Sequence, residues 1–328
     1  MKTFRLIFAV AACIATLPNP GAAQIAPLEA AQSAYDQGEF KKAIELLKSA
    51  ASTYPGNGDI QLLLTKSFLE TNQYDAAVSS GEKAVASNPK SSVYHRWLGE
   101  AYGGKADHSS MLSAYSWARK TQKEFETAVQ LDERNFDAAQ DLIEYDCTAP
   151  GLAGGGEDKA QPLIQKLMGL DPAEGHYGAG VCRAVKKDFA AADAEYAKSL
   201  ESRPKSAERA YDIGDYFTQR GKADKLSAVA DAGEKLAPQD PRGKYYRAVG
   251  QVLKGEKLPD AERMLREYLK AAKVRSGYPA PWEAHYWLGR LYAGQKNTSG
   301  AKDEYQTSLK LNPKYKKAQE ALKQLGGR

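Results

Sequence analysis

Small residues and prolines recur in this chain at one fixed interval. Ala43 and Ala77, Ala50 and Ala84, and Pro55 and Pro89 are separated by the same stretch of chain. A period of that size belongs to a chain assembled from stacked units, each unable to bury its apolar face alone. The unit is written out most fully at Trp282–Pro313. There Trp-Glu-Ala-His-Tyr-Trp-Leu-Gly-Arg-Leu-Tyr leads through Ala-Gly-Gln-Lys-Asn-Thr-Ser-Gly into Ala-Lys-Asp-Glu-Tyr-Gln-Thr-Ser-Leu-Lys-Leu-Asn-Pro. Leu288, Gly289 and Tyr292 share one face of a first helix, and Ala301, Tyr305 and Ser308 share one face of a second. The small residues mark places where helices cross closely. Each proline ends a second helix, because it has no N–H to continue the ladder.

Leu-Gly-x-x-Tyr, followed by Ala, an aromatic and Pro at these offsets, resembles the tetratricopeptide repeat, a helix-turn-helix unit of about 34 residues. The resemblance covers essentially all of 24–328. It implies an all-α solenoid, a right-handed superhelix of about eight helix pairs with a capping helix and a concave groove. The function it implies is a non-enzymatic scaffold that binds a protein or peptide partner; the alternative is an enzyme or ligand-binding protein with its site in the irregular 103–160 region.

The units are uneven. The first two carry Ala31, Gly38, Phe40 and Leu47, then Thr65 and Tyr74. The third opens with His95-Arg96-Trp97-Leu98-Gly99-Glu100-Ala101-Tyr102, nearly a copy of His285–Tyr292. The stretch from Gly99 to Leu131 exceeds its counterpart, Gly289 to Leu311, by ten positions, which are therefore inserted. This predicts a second helix lengthened by up to three turns. The fourth unit places Phe136–Cys147 and Glu157–Leu170 around a glycine-rich break, so irregular insertions are expected at about 103–114 and 149–157. Gly180 and Gly214, and Pro204 and Pro238, restore the interval in units five and six, although Leu226 replaces the usual alanine. Unit seven, Tyr245–Leu253 with Ala261–Ala272, has an open phase, and Val274–Pro281 is a longer connection. Tyr315–Leu325, rich in Lys and Gln, reads as the polar cap that a stack requires.

Residues 1–23 stand apart. Lys2 and Arg5 precede the apolar run Leu6–Leu17, Pro18 and Pro20 break it, and Gly21-Ala22-Ala23 offers a cleavage site before Gln24. This pattern predicts a secretory signal, and export to a bacterial periplasm or beyond. Val10-Ala11-Ala12-Cys13 supplies an alternative, a lipoprotein signal with the lipid on Cys13. The run is too short for a membrane span, which takes about 20 apolar residues. Without the segment, 44 bases face 41 acids. That balance gives no basic stripe of the kind nucleic-acid binding uses.

Candidate sites are few. Gly154-Gly155-Gly156 lacks a following Gly-Lys-Ser/Thr, and Glu157 and Asp158 already occupy the positive helix end, so phosphate is not expected there. His95, His176 and His285 hold equivalent repeat positions and His108 lies apart. They are spread along the stack and cannot share a metal ion. No catalytic set, metal or cofactor is expected. Cys147 and Cys182 are open to two readings, half-buried free thiols or a disulfide. Asn297 sits where a helix cap belongs. The resemblance further implies that the fifth position of each first helix faces the groove. That position is Tyr177, Tyr211, Tyr286 and, if the phase of unit seven is right, Tyr246, a column suited to partner contact. The N-terminal units have Leu28, Leu62 and Arg96 there, without the Lys/Asn pattern with which some family members clamp a terminal carboxylate.

Overall fold

The computed structural model describes residues 20–272 and 274–326. Most of the segment read as a signal, residues 1–19, lies outside them. Seventeen α-helices and one short 3₁₀ turn, Gly151–Ala153, account for the described secondary structure. They pair in sequence: α1 (Pro20–Asp36) with α2 (Phe40–Thr53), α3 (Gly58–Glu70) with α4 (Tyr74–Ser87), and α5 (Ser92–Asp107) with α6 (Met111–Leu131). Then come α7 (Phe136–Thr148) with α8 (Glu157–Leu170), α9 (Pro172–Val185) with α10 (Phe189–Glu201), and α11 (Ala207–Gln219) with α12 (Ala223–Leu236). The last pairs are α13 (Arg242–Lys254) with α14 (Leu258–Ala271) and α15 (Pro281–Gly294) with α16 (Thr298–Leu311), closed by α17 (Lys316–Gly326). This is the expected all-α solenoid of eight helix pairs and a cap.

The period is visible in the backbone as well as in the side chains. Gly38 and Asn72, one repeat apart, take a left-handed conformation in the turn between paired helices, and so do Lys187, Gly221 and Gly255, again at one-repeat intervals. Lys296 does so in unit eight. Glycine adopts that conformation without cost, and the lysines hold it only because the helices on both sides fix the turn.

Packing within a pair follows one recipe. Gly99, Gly180 and Gly289 lie so close to Phe125, Tyr196 and Tyr305 that an added Cβ would strike the ring. A second contact ties the same helices. Ser199 Oγ donates to the Ala173 carbonyl and Ser308 Oγ to the Trp282 carbonyl, both at 2.7 Å. In unit three Ala128 replaces that serine, and the bond is made in reverse by Ser92 Oγ to the Ala128 carbonyl, also at 2.7 Å.

The insertion of unit three is divided between two helices. α5 has 16 residues and α6 has 21, where most partners have 13 or 14. The pair therefore projects beyond its neighbours. Three apolar cores run along the stack, a large one in units five to eight, one in units one to three, and a small one in units four and five built on Ile143, Ile164 and Leu167. The Cys147–Cys182 disulfide, joining α7 to α9 with Cα atoms 5.3 Å apart, staples that small core and resolves the two readings of the cysteines.

The stack also curls back on itself. The connection before α15 reaches the first two units. Arg275 Nη1 lies 3.3 Å from Asp36, and Ser276 donates its N–H and hydroxyl to Glu70 at 3.1 and 3.2 Å. The base of this strap is held by Arg242, which donates to the Gly277 carbonyl at 2.9 Å, and by the Tyr268 hydroxyl on the Pro279 carbonyl.

Candidate functional site

A ribbon of arginines runs up the inner wall formed by the first helices. Arg96 on α5 donates to Asp141 at 2.6 Å and Asp137 at 3.2 Å, both on α7. Arg209 on α11 reaches Glu174 at 3.0 Å, Asp212 at 3.1 Å and Asp137, two units away, at 3.4 Å. On the way it crosses α9, whose Glu174 accepts from it and whose Tyr177 ring lies beneath it. Arg242 on α13 joins Asp240 at 2.6 Å and Glu208 at 3.1 Å. Arg209 and Arg242 are 6% and 2% exposed, and each guanidinium stacks on a tyrosine, Tyr177 and Tyr211 respectively. Both are held charged despite burial, because several carboxylates surround each. Arg275 continues the ribbon to unit one.

Within units five to eight this ribbon and the tyrosines fill the inner wall. Tyr211 is 1% exposed, with its ring against Gly233 and stacked on Tyr246. Tyr246 is fully buried and donates to Asp215 at 2.7 Å. Tyr286 is 7% exposed, in edge contact with Trp287 and Tyr315. The expected column is thus corrected in one respect: three of its four members are packed between helices and offer a partner little surface. The reason is their size. A tyrosine at the fifth position reaches past its own helix to a neighbour: Tyr211 meets Gly233 of α12, Tyr246 meets Gly214 of α11 and Tyr286 meets Tyr305 of α16. Tyr177 alone is half-buried, with its ring beneath Arg209.

The open space lies elsewhere. A cavity of about 760 Å³ sits between α3, α5, the projecting part of α6, α7 and the 3₁₀ turn, with Ser276 of the strap at its edge. Trp97, Tyr115 and Tyr145 give it aromatic walls, and Glu100, Asp141 and Glu144 stand on one side. Glu100 lies beside Asp141. Loss of water, and then the repulsion of Asp141, pushes Glu100 and Glu144 above their ordinary values, and burial raises Asp141 too although Arg96 beside it opposes the shift. The glycine-rich break forms part of the rim and is pinned there. Gln122 donates to the Gly154 carbonyl and to Asp146, each at 3.0 Å, and Tyr145 donates to the Ala153 carbonyl at 2.7 Å. The irregular 103–160 region, the place the sequence offers for an alternative site, supplies much of this space, whereas the contributions of α3 and of the strap carry no sequence signal.

The histidines pack between helices, each against a glutamate of its own pair: His95 with Glu124 at 2.6 Å, His176 with Glu195 at 2.7 Å and His285 with Glu304 at 2.6 Å. The separations are 29, 19 and 19 residues, so the insertion of unit three appears again in the pairing. His108 instead stacks on Tyr74. Asn297 caps α16 by accepting from the Gly300 N–H at 3.0 Å. No group of three or more metal-ligating side chains is present among the described residues. No described helix is long and apolar enough to cross a membrane.

Comparison with known proteins agrees with this architecture. Two family models, both described as tetratricopeptide repeat, match residues 34–100 and 282–315. No curated protein matches the sequence. Among solved structures, yeast Tom70 is similar over 97% of this chain and 66% of its own, with a TM-score of 0.57 at 14% identity. A thermophilic TPR protein of Thermus thermophilus aligns with 58% of this chain and 97% of its own, at 19% identity and a TM-score of 0.47. A tetratricopeptide repeat protein of Parabacteroides merdae aligns with 93% and 99%, at 13% identity and a TM-score of 0.42. The two matched segments lie at opposite ends of one continuous series of helix pairs, in which units one, two and five to eight share the turn conformation and units three, five and eight share the glycine–aromatic contact and the histidine–glutamate pair, and the chain carries tetratricopeptide repeats at 34–100 and 282–315.

Proposed function

We propose that the chain is a non-enzymatic scaffold of the bacterial envelope, receiving a protein or peptide partner on its concave side. The observation that carries this is the cavity of units two to four, an open, aromatic-walled space built from two insertions that the repeat itself does not need. Interaction surfaces on repeat arrays arise in this way, from loops and extensions held on a rigid stack. Export is supported by the charged and apolar pattern of residues 1–23 and by the Cys147–Cys182 disulfide, since disulfides persist in oxidising compartments. Intact mass of the envelope protein separates a chain starting at Gln24 from one anchored through Cys13.

The test is cross-linking in envelope extract, with the linked peptides mapped by mass spectrometry. Partner cross-links on α5, α6 and the 149–157 loop would support the reading, whereas links confined to the outer helices α4, α8 and α12 would sink it. One observation favours a second reading. Crowded carboxyls with raised pKa values are a feature of catalytic sites, and turnover by the purified chain that is lost in a Glu100→Gln variant would establish an enzyme instead.

A further inference from the structure

The cavity wall is unbalanced in charge. Glu70, Glu100, Asp107, Asp141 and Glu144 line it against Lys66 and Arg96, an excess of three acids on a chain that is formally +5 overall. Arg96 is committed to Asp141 and Asp137. Among the described residues, neither Glu100 nor Glu144 has a basic side chain within ion-pair distance, although both face this space. The aromatic wall already holds cations of the chain's own: Lys66 Nζ lies 4.7 Å from the Trp97 ring centre and the Arg96 guanidinium 5.2 Å. Carboxylates beside an aromatic face are the complement of an ammonium or guanidinium group.

We propose that this cavity takes a basic peptide segment, with a lysine or arginine side chain entering between Glu100 and Glu144 and its aliphatic stem lying along Trp97 and Tyr145. The proposal rests on the scaffold reading above and deepens it by fixing the charge of the partner. Occupation supplies the positive charge that the crowded carboxylates lack. The carboxyls thus attract the partner at a distance through the cavity's net field and select it on contact. A volume of 760 Å³ accommodates a basic side chain with its neighbouring backbone and lies within the range of ordinary ligand pockets, about 300–1,000 Å³.

The experiment uses the full chain and three dye-labelled decapeptides, alternating Lys-Ala, Glu-Ala and Ser-Ala, followed by fluorescence anisotropy. The Lys-Ala peptide is expected to bind, more weakly as salt rises, and the other two to bind at least tenfold more weakly. The double substitution Glu100→Gln/Glu144→Gln should weaken the Lys-Ala peptide at least tenfold. Its melting temperature should stay level or rise, because like charges have been removed, so that the loss cannot be ascribed to unfolding. Equal binding of the Ser-Ala peptide, or Lys-Ala binding unaffected by the double substitution, overturns the proposal. Spermidine binding as tightly as the Lys-Ala peptide also overturns it, in favour of a small-polyamine site. These failures leave the scaffold reading intact if the envelope partner still cross-links to α5 and α6, and only cross-links confined to the outer helices remove both.

Discussion

Arg209 is the buried hub of the inner wall, and removing its charge tests whether the arginine ribbon holds the stack together. The guanidinium is 6% exposed and its closest partner, Glu174, is 5% exposed. Replacing Arg209 with Met keeps most of the volume over Tyr177 but leaves Glu174 as a buried carboxylate with one remaining donor, Gln140 at 2.8 Å. Breaking a buried pair in this way costs about 3–5 kcal/mol. Asp212 and Asp137 also lose a partner, but their side chains are 39% and 61% exposed, so water replaces it and they add little. Unfolding entropy of about 2.1 cal/mol/K per residue over roughly 300 residues converts about 4 kcal/mol into a fall of about 6 °C in melting temperature. The double variant Arg209→Met/Glu174→Gln removes both charges while leaving Gln140 an oxygen to bond, and should recover at least half of that loss. Thermal melts by circular dichroism measure the cost. Hydrogen exchange locates it, and new exchange should concentrate in α7, α9 and α11. A single substitution that costs under about 1 kcal/mol, or a double variant no better than the single, would refute the argument that Glu174 is stranded without Arg209.

Other outcomes follow from the same geometry. Gly289→Ala places a methyl against the Tyr305 ring, and overpacking of about 1–3 kcal/mol exceeds the helix-propensity gain of about 1 kcal/mol, whereas Gly294→Ala in the same helix meets nothing and should stabilise slightly; paired melts read the contrast. Replacing Cys147 and Cys182 with Ser should cost about 2–4 kcal/mol, since the disulfide closes a 35-residue loop, and a reductant should lower the melting temperature of the wild type but not of the variant. Burial raises Asp215 from 3.8 to about 6, so its charge opposes folding above that value and the penalty is relieved as pH falls from about 6 towards 4; Asp215→Asn should therefore raise the melting temperature at pH 7, by at most about 3 kcal/mol of stability, and leave it unchanged near pH 4. Glu70→Ala unties the strap from unit two; exposed polar contacts of this kind contribute about 1 kcal/mol or less, so melting should barely move, while exchange at 274–280 rises and small-angle scattering shows a larger radius.

The repeats were legible because their rules are local. A glycine against an aromatic, an alanine at a crossing and a proline after the second helix each act within a single unit, and the helix pairs they imply are the ones present. The fifth-position tyrosines show where that logic stops. Position in the repeat says which way Tyr211 leaves its helix, but whether its ring ends in solvent depends on the neighbour, and here Gly233 opens a slot for it. The 103–160 region was legible as irregular, but the shape of the cavity it helps to form was not, for a related reason. Its walls come from two insertions, an arginine-held acid on the next unit and a strap from unit seven, and periodicity carries no information about meetings between units so far apart. The histidine–glutamate pairs could have been found: Glu195 and Glu304 stand at the same offset after His176 and His285, and Glu124 follows His95 at that offset lengthened by the insertion.

The strap also ties the closed shape of the stack to the number of its units. An open solenoid tolerates gain or loss of a repeat, because each unit touches only its neighbours. Here Arg275 must meet Asp36 across 239 residues, and Ser276 must meet Glu70 across 206. Duplicating or deleting one helix pair between them would rotate and lift the strap away from its landing place on units one and two. Variation in this lineage should therefore enter as insertions within a unit, as in units three and four, with the number of units between the two contacts held constant.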